Sequence, residues 1–274
     1  MSEMENVIGS VLKKDSLILR SVRQPGIDFK NTERHIGRKN GTTILAMHYK
    51  DGVVIAGDRR TTDYNTHTDD SIKIEETGNL TAIGFAGTVA FIQEAKEALA
   101  LLLLRLESLV EIPIFVDGQA KLMKNILKAN FDTYTEFMYF LQYYGVPILA
   151  GVNPESGEGM IFAFDEVGGF YPKSDYATTG SGGPRAEVIL DRHWKVGMKE
   201  ADAVELAVDA LVIASADNYT SPPLMAPVTA LAISKKGIRY LGEKKAQQMA
   251  FKFLIEELKR KGKTEQLKFF MGEE

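Results

Sequence analysis

A chain of 274 residues is long enough to bury a substantial core, as one large domain or two small ones. Its 45% hydrophobic and 26% charged residues are ordinary for a globular protein, and a net charge of −4 argues against a nucleic-acid binder, which shows a basic face. Cysteine is missing altogether, which excludes disulfides, thiolate metal sites and a cysteine nucleophile and fits a reducing compartment.

The first residues, Met1-Ser2-Glu3-Met4-Glu5, carry acids where a secretory signal needs a basic and then an apolar stretch. The most apolar run, Ala98 to Leu104, is bounded by Glu94, Lys96, Glu97 and Arg105 and is far short of the roughly 20 residues of a membrane span. A soluble cytoplasmic chain with no membrane partner is expected. Residues 1–41 stand apart, with eight basic residues against five acids, so that +3 falls there and −7 on the remainder. Apart from Leu17-Ile18-Leu19 they show no sustained period. They read either as a flexible arm or as a removable leader, and Gly41-Thr42 at their end favours the leader.

Strand patterning begins at Thr43. Thr43 to Tyr49 turns at Lys50-Asp51-Gly52 into Val53 to Gly57, a hairpin. Ser71 to Glu75 and Leu80 to Ala86 form a second pair about Thr77-Gly78-Asn79. Thr88 to Val110 and Ala120 to Tyr144 are long and amphipathic, so two helices are predicted. Strands resume at Val146 to Val152, Met160 to Asp165, Gly169 to Tyr171 and Tyr176 to Gly180. Pro184 to Trp194 and Glu200 to Asn218 read as helices, with Pro184 suited to a first turn. Val228 to Ser234 and Ile238 to Leu241 are the last strands, and Glu243 to Lys261 is a charged helix. Strand blocks separated by helix pairs suit an α+β fold of two stacked sheets with helices on both outer faces.

Thr42 precedes the first strand, Asp58 follows the second and Lys73 lies in the third, so a hydroxyl, a carboxylate and an ammonium could meet at one sheet edge. The four histidines are scattered and show no triad pattern. A chain cut between Gly41 and Thr42 would instead supply Thr42 with its own α-amino group, which titrates near ~7.7–8.0 and can take the hydroxyl proton. Gly41 permits close approach of that hydroxyl to its carbonyl, so the cut could be self-catalysed. The plain alternative is that Asn40-Gly41 is a turn before a strand, with threonine there for its β propensity. Phe85-Ala86-Gly87-Thr88 joins a strand to a helix with small residues that let a backbone amide face an oxyanion. Gly180-Ser181-Gly182-Gly183 offers a hydroxyl and bare amides before a helix; it could cradle a phosphate, but it lacks a P-loop lysine. Asp217 and Thr220 put a carboxylate and a hydroxyl three apart at a helix end.

From Thr42 to about Leu241 the chain resembles a proteasome β-type subunit, worded more like the bacterial members. The resemblance is carried by Gly41-Thr42-Thr43, Gly57-Asp58-Arg59-Arg60, Lys73, Gly84-Phe85-Ala86-Gly87-Thr88, Gly180-Ser181-Gly182 and the Asp217/Thr220 pair, in the family's order. It implies a four-layer αββα sandwich of two antiparallel sheets, the N-terminal nucleophile hydrolase fold. It also implies a leader over 1–41, a catalytic domain over 42–274, and threonine-type endopeptidase activity after processing at Gly41-Thr42. Thr42 is then nucleophile and, through its amine, base; Lys73 lies beside it, paired with Asp58; Gly87 donates to the oxyanion; Ser181, Asp217 and Thr220 orient the new terminus. Thr61, Phe85 and Val89 would line an apolar first specificity pocket. The implied partners are α-type subunits, homo-heptameric β rings in an α7β7β7α7 barrel, an AAA-type unfolding ATPase and unfolded protein substrates; no cofactor, metal or nucleic acid is expected.

Two departures from the family pattern stand out. The Asp58 to Lys73 interval is one residue short, which places a deletion around Asp69-Asp70-Ser71, and Ser221-Pro222-Pro223 follows Thr220 where many relatives have glycines. A structural β subunit that cannot cut usually lacks the threonine, the lysine or the preceding glycine, and all three are present here. A simpler protease ring without α subunits has a shorter leader. A small-molecule amidohydrolase of this fold would want a polar pocket.

Overall fold

The computed structural model describes residues 41–63, 66–69, 71–135, 138, 143–215 and 228–262, with backbone alone for 61–63, 66 and 67. Two five-stranded antiparallel sheets dominate. The first has the order β10-β1-β2-β11-β12, formed by Tyr176–Thr179 (β10), Ile44–Tyr49 (β1), Gly52–Gly57 (β2), Thr229–Ser234 (β11) and Gly237–Tyr240 (β12). The second runs β5-β6-β7-β8-β9, formed by Ile74–Gly78, Thr81–Gly87, Gly145–Val152, Gly159–Phe164 and Phe170–Lys173. A short ribbon pairs Thr61–Asp63 (β3) with Thr66–Thr68 (β4). The helices are Val89–Val110 (α1), Val116–Tyr134 (α2), Gly183–His193 (α3), Glu200–Ala214 (α4) and Glu243–Arg260 (α5).

Side-chain alternation makes this a sandwich of four layers. Ile44, Ala46, Val53 and Ile55 of the first sheet meet Ile74, Ala82, Ile148 and Ile161 of the second between the sheets. The intervening residues Leu45, Met47, Val54 and Ala56 face the other way and pack on Leu190, Ala207, Leu211 and Ala250 of α3, α4 and α5. Ile83, Phe85, Leu149 and Phe162 likewise turn outward onto Phe91, Leu99, Met123 and Leu127 of α1 and α2. The central strands β1, β2, β6 and β7 are therefore buried on both faces and read as unbroken apolar runs rather than as alternating ones, whereas β5, β9 and β12 at the sheet edges are largely exposed. The αββα architecture inferred from the order of elements is the one observed.

Several boundaries differ from the sequence reading: the helix expected over Glu200 to Asn218 ends at Ala214, the strand expected over Gly169 to Tyr171 spans Phe170–Lys173, and the second helix shifts at both ends. The second helix starts at Val116 rather than Ala120, because Gly118 lies in its first turn, where its low helix propensity matters little. It ends at Tyr134 rather than Tyr144, and Tyr143 and Tyr144 lead into β7. Among the described residues no helix is long and apolar enough to cross a membrane, and no group of His, Asp or Glu is arranged to hold a metal ion.

One partly covered charge on an outer helix is costly. Asp209 on α4 is largely covered, and its Oδ1 has no hydrogen-bond partner among the described residues. Burial pushes its carboxyl up to about 7 from an ordinary 3.8; Glu205 and Glu256 push the same way, and Lys252 opposes them. Between those two values the folded chain holds a proton that the unfolded chain has released, so stability falls as pH rises through this window and levels off above it. Asp209→Asn should therefore raise the melting temperature at pH 8 by about 3–6 °C, and by clearly less at pH 5. Thermal melts at both pH values check this, and an equal gain at both would refute it.

Candidate active site

Five strand ends meet at one edge of the sandwich. The β1–β2 register pairs Ile44 with Gly57, so Thr43 and Asp58, just outside it, are neighbours. Ile44 also pairs with Thr179, which brings Gly180 and Ser181 at the end of β10 alongside Thr42. In the other sheet Ile74 pairs with Gly84, so the residue before β5, Lys73, and the last residue of β6, Gly87, lie at the same edge. The sequence reading brought Thr42, Asp58, Lys73, Gly87 and Ser181 together, and the structure has all five around this edge.

Asp58 is fully buried and Lys73 nearly so, at 0% and 7% exposure. The Lys73 Nζ donates to Asp58 Oδ1 at 2.9 Å, joining the two sheets through an ion pair. The same Oδ1 accepts the Thr43 N–H at 2.7 Å, and Oδ2 accepts the Arg60 N–H at 3.0 Å. Backbone donors thus hold the carboxylate in place independently of the lysine. Burial lowers the Lys73 pKa from its ordinary value, while the Asp58 charge works against that shift.

Lys73 also donates to the Gly41 carbonyl oxygen at 3.2 Å, and the Thr42 hydroxyl donates to the same oxygen at 2.7 Å. The Gly41–Thr42 linkage is intact here, so the Thr42 nitrogen is a peptide N–H standing where a free amine would be. That N–H donates to Ser181 Oγ at 3.3 Å, and Ser181 Oγ lies 3.4 Å from the Thr42 carbonyl oxygen. The Gly182 N–H donates to that oxygen at 3.2 Å. The turn after β10 thus clamps the Thr42 backbone.

Glycine is required at two of these positions. Gly180 has φ +87°, and a Cβ there would sit 2.2 Å from the Thr42 carbonyl oxygen. Gly87 has φ +142°, and its Cβ would lie 2.3 Å from the Tyr144 carbonyl oxygen. Gly180→Ala should therefore lower the unfolding free energy by about 2–3 kcal/mol and displace Thr42. Urea denaturation measures this; an unchanged midpoint would show that the turn adapts freely.

A cavity of about 240 Å³ opens beside Thr42, lined by Gly41, Thr42, Lys73, Phe85, Gly87 and Val89 together with Ser71, Ile72, Glu75, Ile92, Gln93 and Lys96. Phe85 and Val89, expected to line a specificity pocket, both line this cavity, although the Phe85 ring is buried in the helix-facing core. The side chain of Thr61 and the whole of Asp217 and Thr220 lie outside the described residues, as does Pro222-Pro223. An apolar pocket was expected, yet much of the wall is polar. Glu75 is legible in hindsight, two residues beyond Lys73 on the same face of β5; Lys96 is seven beyond Val89 on one face of α1.

The short interval between Asp58 and Lys73 does not separate them. Arg60 grips Asp69 with a fork of two bonds, Nε to Oδ1 at 2.8 Å and Nη2 to Oδ2 at 3.0 Å, and the Ser71 N–H donates to the Arg59 carbonyl at 3.0 Å. These contacts draw the segment before β5 back onto the end of β2.

Sequence comparison places the chain in a family. A family model described as Proteasome subunit matches residues 38–225. A protein named Proteasome subunit beta from Acidimicrobium ferrooxidans is 31% identical over 217 residues, covering 77% of this chain and 77% of the relative. One of the same name from Jonesia denitrificans is 31% identical, covering 74% of this chain and 68% of the relative. Another from Nocardia farcinica is 30% identical, covering 77% and 75%. With most of its length under that family model and relatives of this similarity sharing one description, the chain belongs to the proteasome β-subunit family.

Proposed function

We propose that this chain is the precursor of a threonine-type endopeptidase subunit that cuts itself between Gly41 and Thr42. The observation that carries the reading is a single carbonyl, that of Gly41, receiving both the Thr42 hydroxyl and the Lys73 ammonium, with Asp58 buried behind the lysine. Two donors polarise the bond to be cut, and the hydroxyl is one residue from its carbon. In processing, Thr42 Oγ bonds to the Gly41 carbonyl carbon, the C–N bond breaks, and the Thr42 nitrogen takes the proton. Water then hydrolyses the ester, releasing residues 1–41 with a Gly41 carboxylate and leaving a free Thr42 amine.

That amine becomes the base for substrate cleavage. It takes the proton of Thr42 Oγ as the oxygen attacks a substrate carbonyl, passes it to the departing amine, and then activates water against the acyl ester. Lys73, its pKa lowered by burial, stabilises the developing alkoxide as a strong donor. The Gly87 amide is assigned to the oxyanion, an interaction whose loss costs about 3–4 kcal/mol. Ser181 holds the new terminus through the position its Oγ already takes at the Thr42 nitrogen, with Asp217 and Thr220 in support.

As a working subunit the chain would join α-type subunits in a barrel of stacked seven-membered rings in the cytoplasm, served by an AAA-type unfolding ATPase. Co-expression with an α-type partner from the same genome, followed by intact-mass measurement and hydrolysis of fluorogenic peptides, tests the reading. The expected result is a chain beginning at Thr42 that hydrolyses peptides. An assembled particle that keeps residues 1–41 and cuts nothing would overturn it in favour of a structural β subunit.

A further inference from the structure

The cavity beside Thr42 carries an ion pair that no step of the proposed chemistry uses. Three of its lining residues ionise: Lys73, Glu75 and Lys96. Lys73 is held by Asp58 at the nucleophile. Lys96 Nζ donates to Glu75 Oε1 at 2.6 Å, with the lysine side chain 18% exposed and the glutamate 48%. Lys73 and Glu75 project from the same face of β5, since they are two residues apart, so the pair lies next along the strand from the reactive edge. On α1, Val89, Ile92, Gln93 and Lys96 follow helical spacing on one face, and Lys96 lies about 10 Å along the axis from Val89. The pair therefore ties the edge strand to the helix at the end of the cavity remote from Thr42 and Gly87.

Resting on the reading of Thr42 as nucleophile, we infer that the Glu75–Lys96 pair sets which side chain the cavity accepts from the residue whose carbonyl is attacked. A peptide placed with that carbonyl at Thr42 and Gly87 sends the side chain of the same residue down the cavity toward the pair. Each charge there is cancelled by the other, so an uncharged side chain, apolar or amide, enters without disturbing it. An incoming carboxylate meets Glu75 and must compete with it for Lys96. An incoming ammonium or guanidinium meets Lys96 and must compete with it for Glu75. The pair thus rejects both signs, and removing either partner leaves a single charge that selects the opposite one.

The test is a comparison of kcat/KM on three fluorogenic peptides that differ only in Leu, Glu or Arg at the attacked residue, using the assembled, processed particle. The unaltered chain should prefer Leu over both charged residues. Glu75→Gln should raise the Glu-to-Leu ratio about tenfold or more, and Lys96→Met should raise the Arg-to-Leu ratio by a similar factor. The double variant Glu75→Gln/Lys96→Met should return both ratios toward those of the unaltered chain. If the unaltered particle cleaves the Leu peptide while both single variants keep its ratios, the ion-pair inference is wrong and the peptidase reading stands. If the unaltered particle cleaves no peptide, the peptidase reading is wrong and the inference falls with it.

Discussion

Thr42→Ala is expected to leave residues 1–41 attached in the assembled particle and to reduce peptide hydrolysis by at least about 10⁴-fold. The substitution removes the hydroxyl that donates to the Gly41 carbonyl, so on the proposed reading the linkage loses its nucleophile, no amine is freed, and the base is lost along with the attacking oxygen. Effects of groups that act as one unit do not add, so this single change should be as damaging as removing the whole constellation. The fold should survive, because one hydrogen bond of about 1 kcal/mol and a methyl-sized volume are all that is lost. Thr42→Ser keeps the hydroxyl but loses the branch that restricts the side-chain rotamer, so it should process and cut more slowly. Intact mass and peptide hydrolysis read both variants. A Thr42→Ala chain that still begins at residue 42, or still cuts peptides, would mean that another group attacks.

The layered fold was legible because its cause is local and repeated. A sheet buried on both faces writes itself as a run such as Ile44-Leu45-Ala46-Met47, and alternate residues of that run enter two different cores. Turns at Lys50-Asp51-Gly52 and Lys235-Lys236-Gly237 punctuate the strands clearly. The β3–β4 ribbon was not legible because Thr61 to Thr68 is polar apart from the single aromatic Tyr64, so no alternating apolar face announces itself. Thr42, Asp58 and Lys73 could be read from the sequence because each falls at the end of a strand, and antiparallel pairing gathers those ends at one edge. The Glu75–Lys96 pair could not be read in the same way. Its members are 21 residues apart on a strand and a helix, and each alone looks like a solvated surface charge. The grip of Arg60 on Asp69 is a similar case, visible only once the chain has turned between them.

Lys73→Met should cost about 3–5 kcal/mol of stability, the other large effect expected, because it leaves the Asp58 carboxylate fully buried without its counter-charge. Asp58→Asn should be comparably harmful for the opposite reason: it strands a buried ammonium, and one amide end must face the Thr43 or Arg60 N–H, both of which are donors. The double variant decides between a true pair and two separate sites. If the charges act on each other, Asp58→Asn/Lys73→Met should lose less than the sum of the single losses by about 2 kcal/mol or more, since removing both leaves neither charge uncompensated. Urea titration of all four chains closes this cycle, and strict additivity would refute the coupling. Activity should not recover with stability. The double variant, however well folded, lacks the ammonium that polarises the Gly41 carbonyl, so it should stay unprocessed and silent toward peptides. Recovery of hydrolysis along with stability would show that the pair serves the fold alone and that Thr42 works without it.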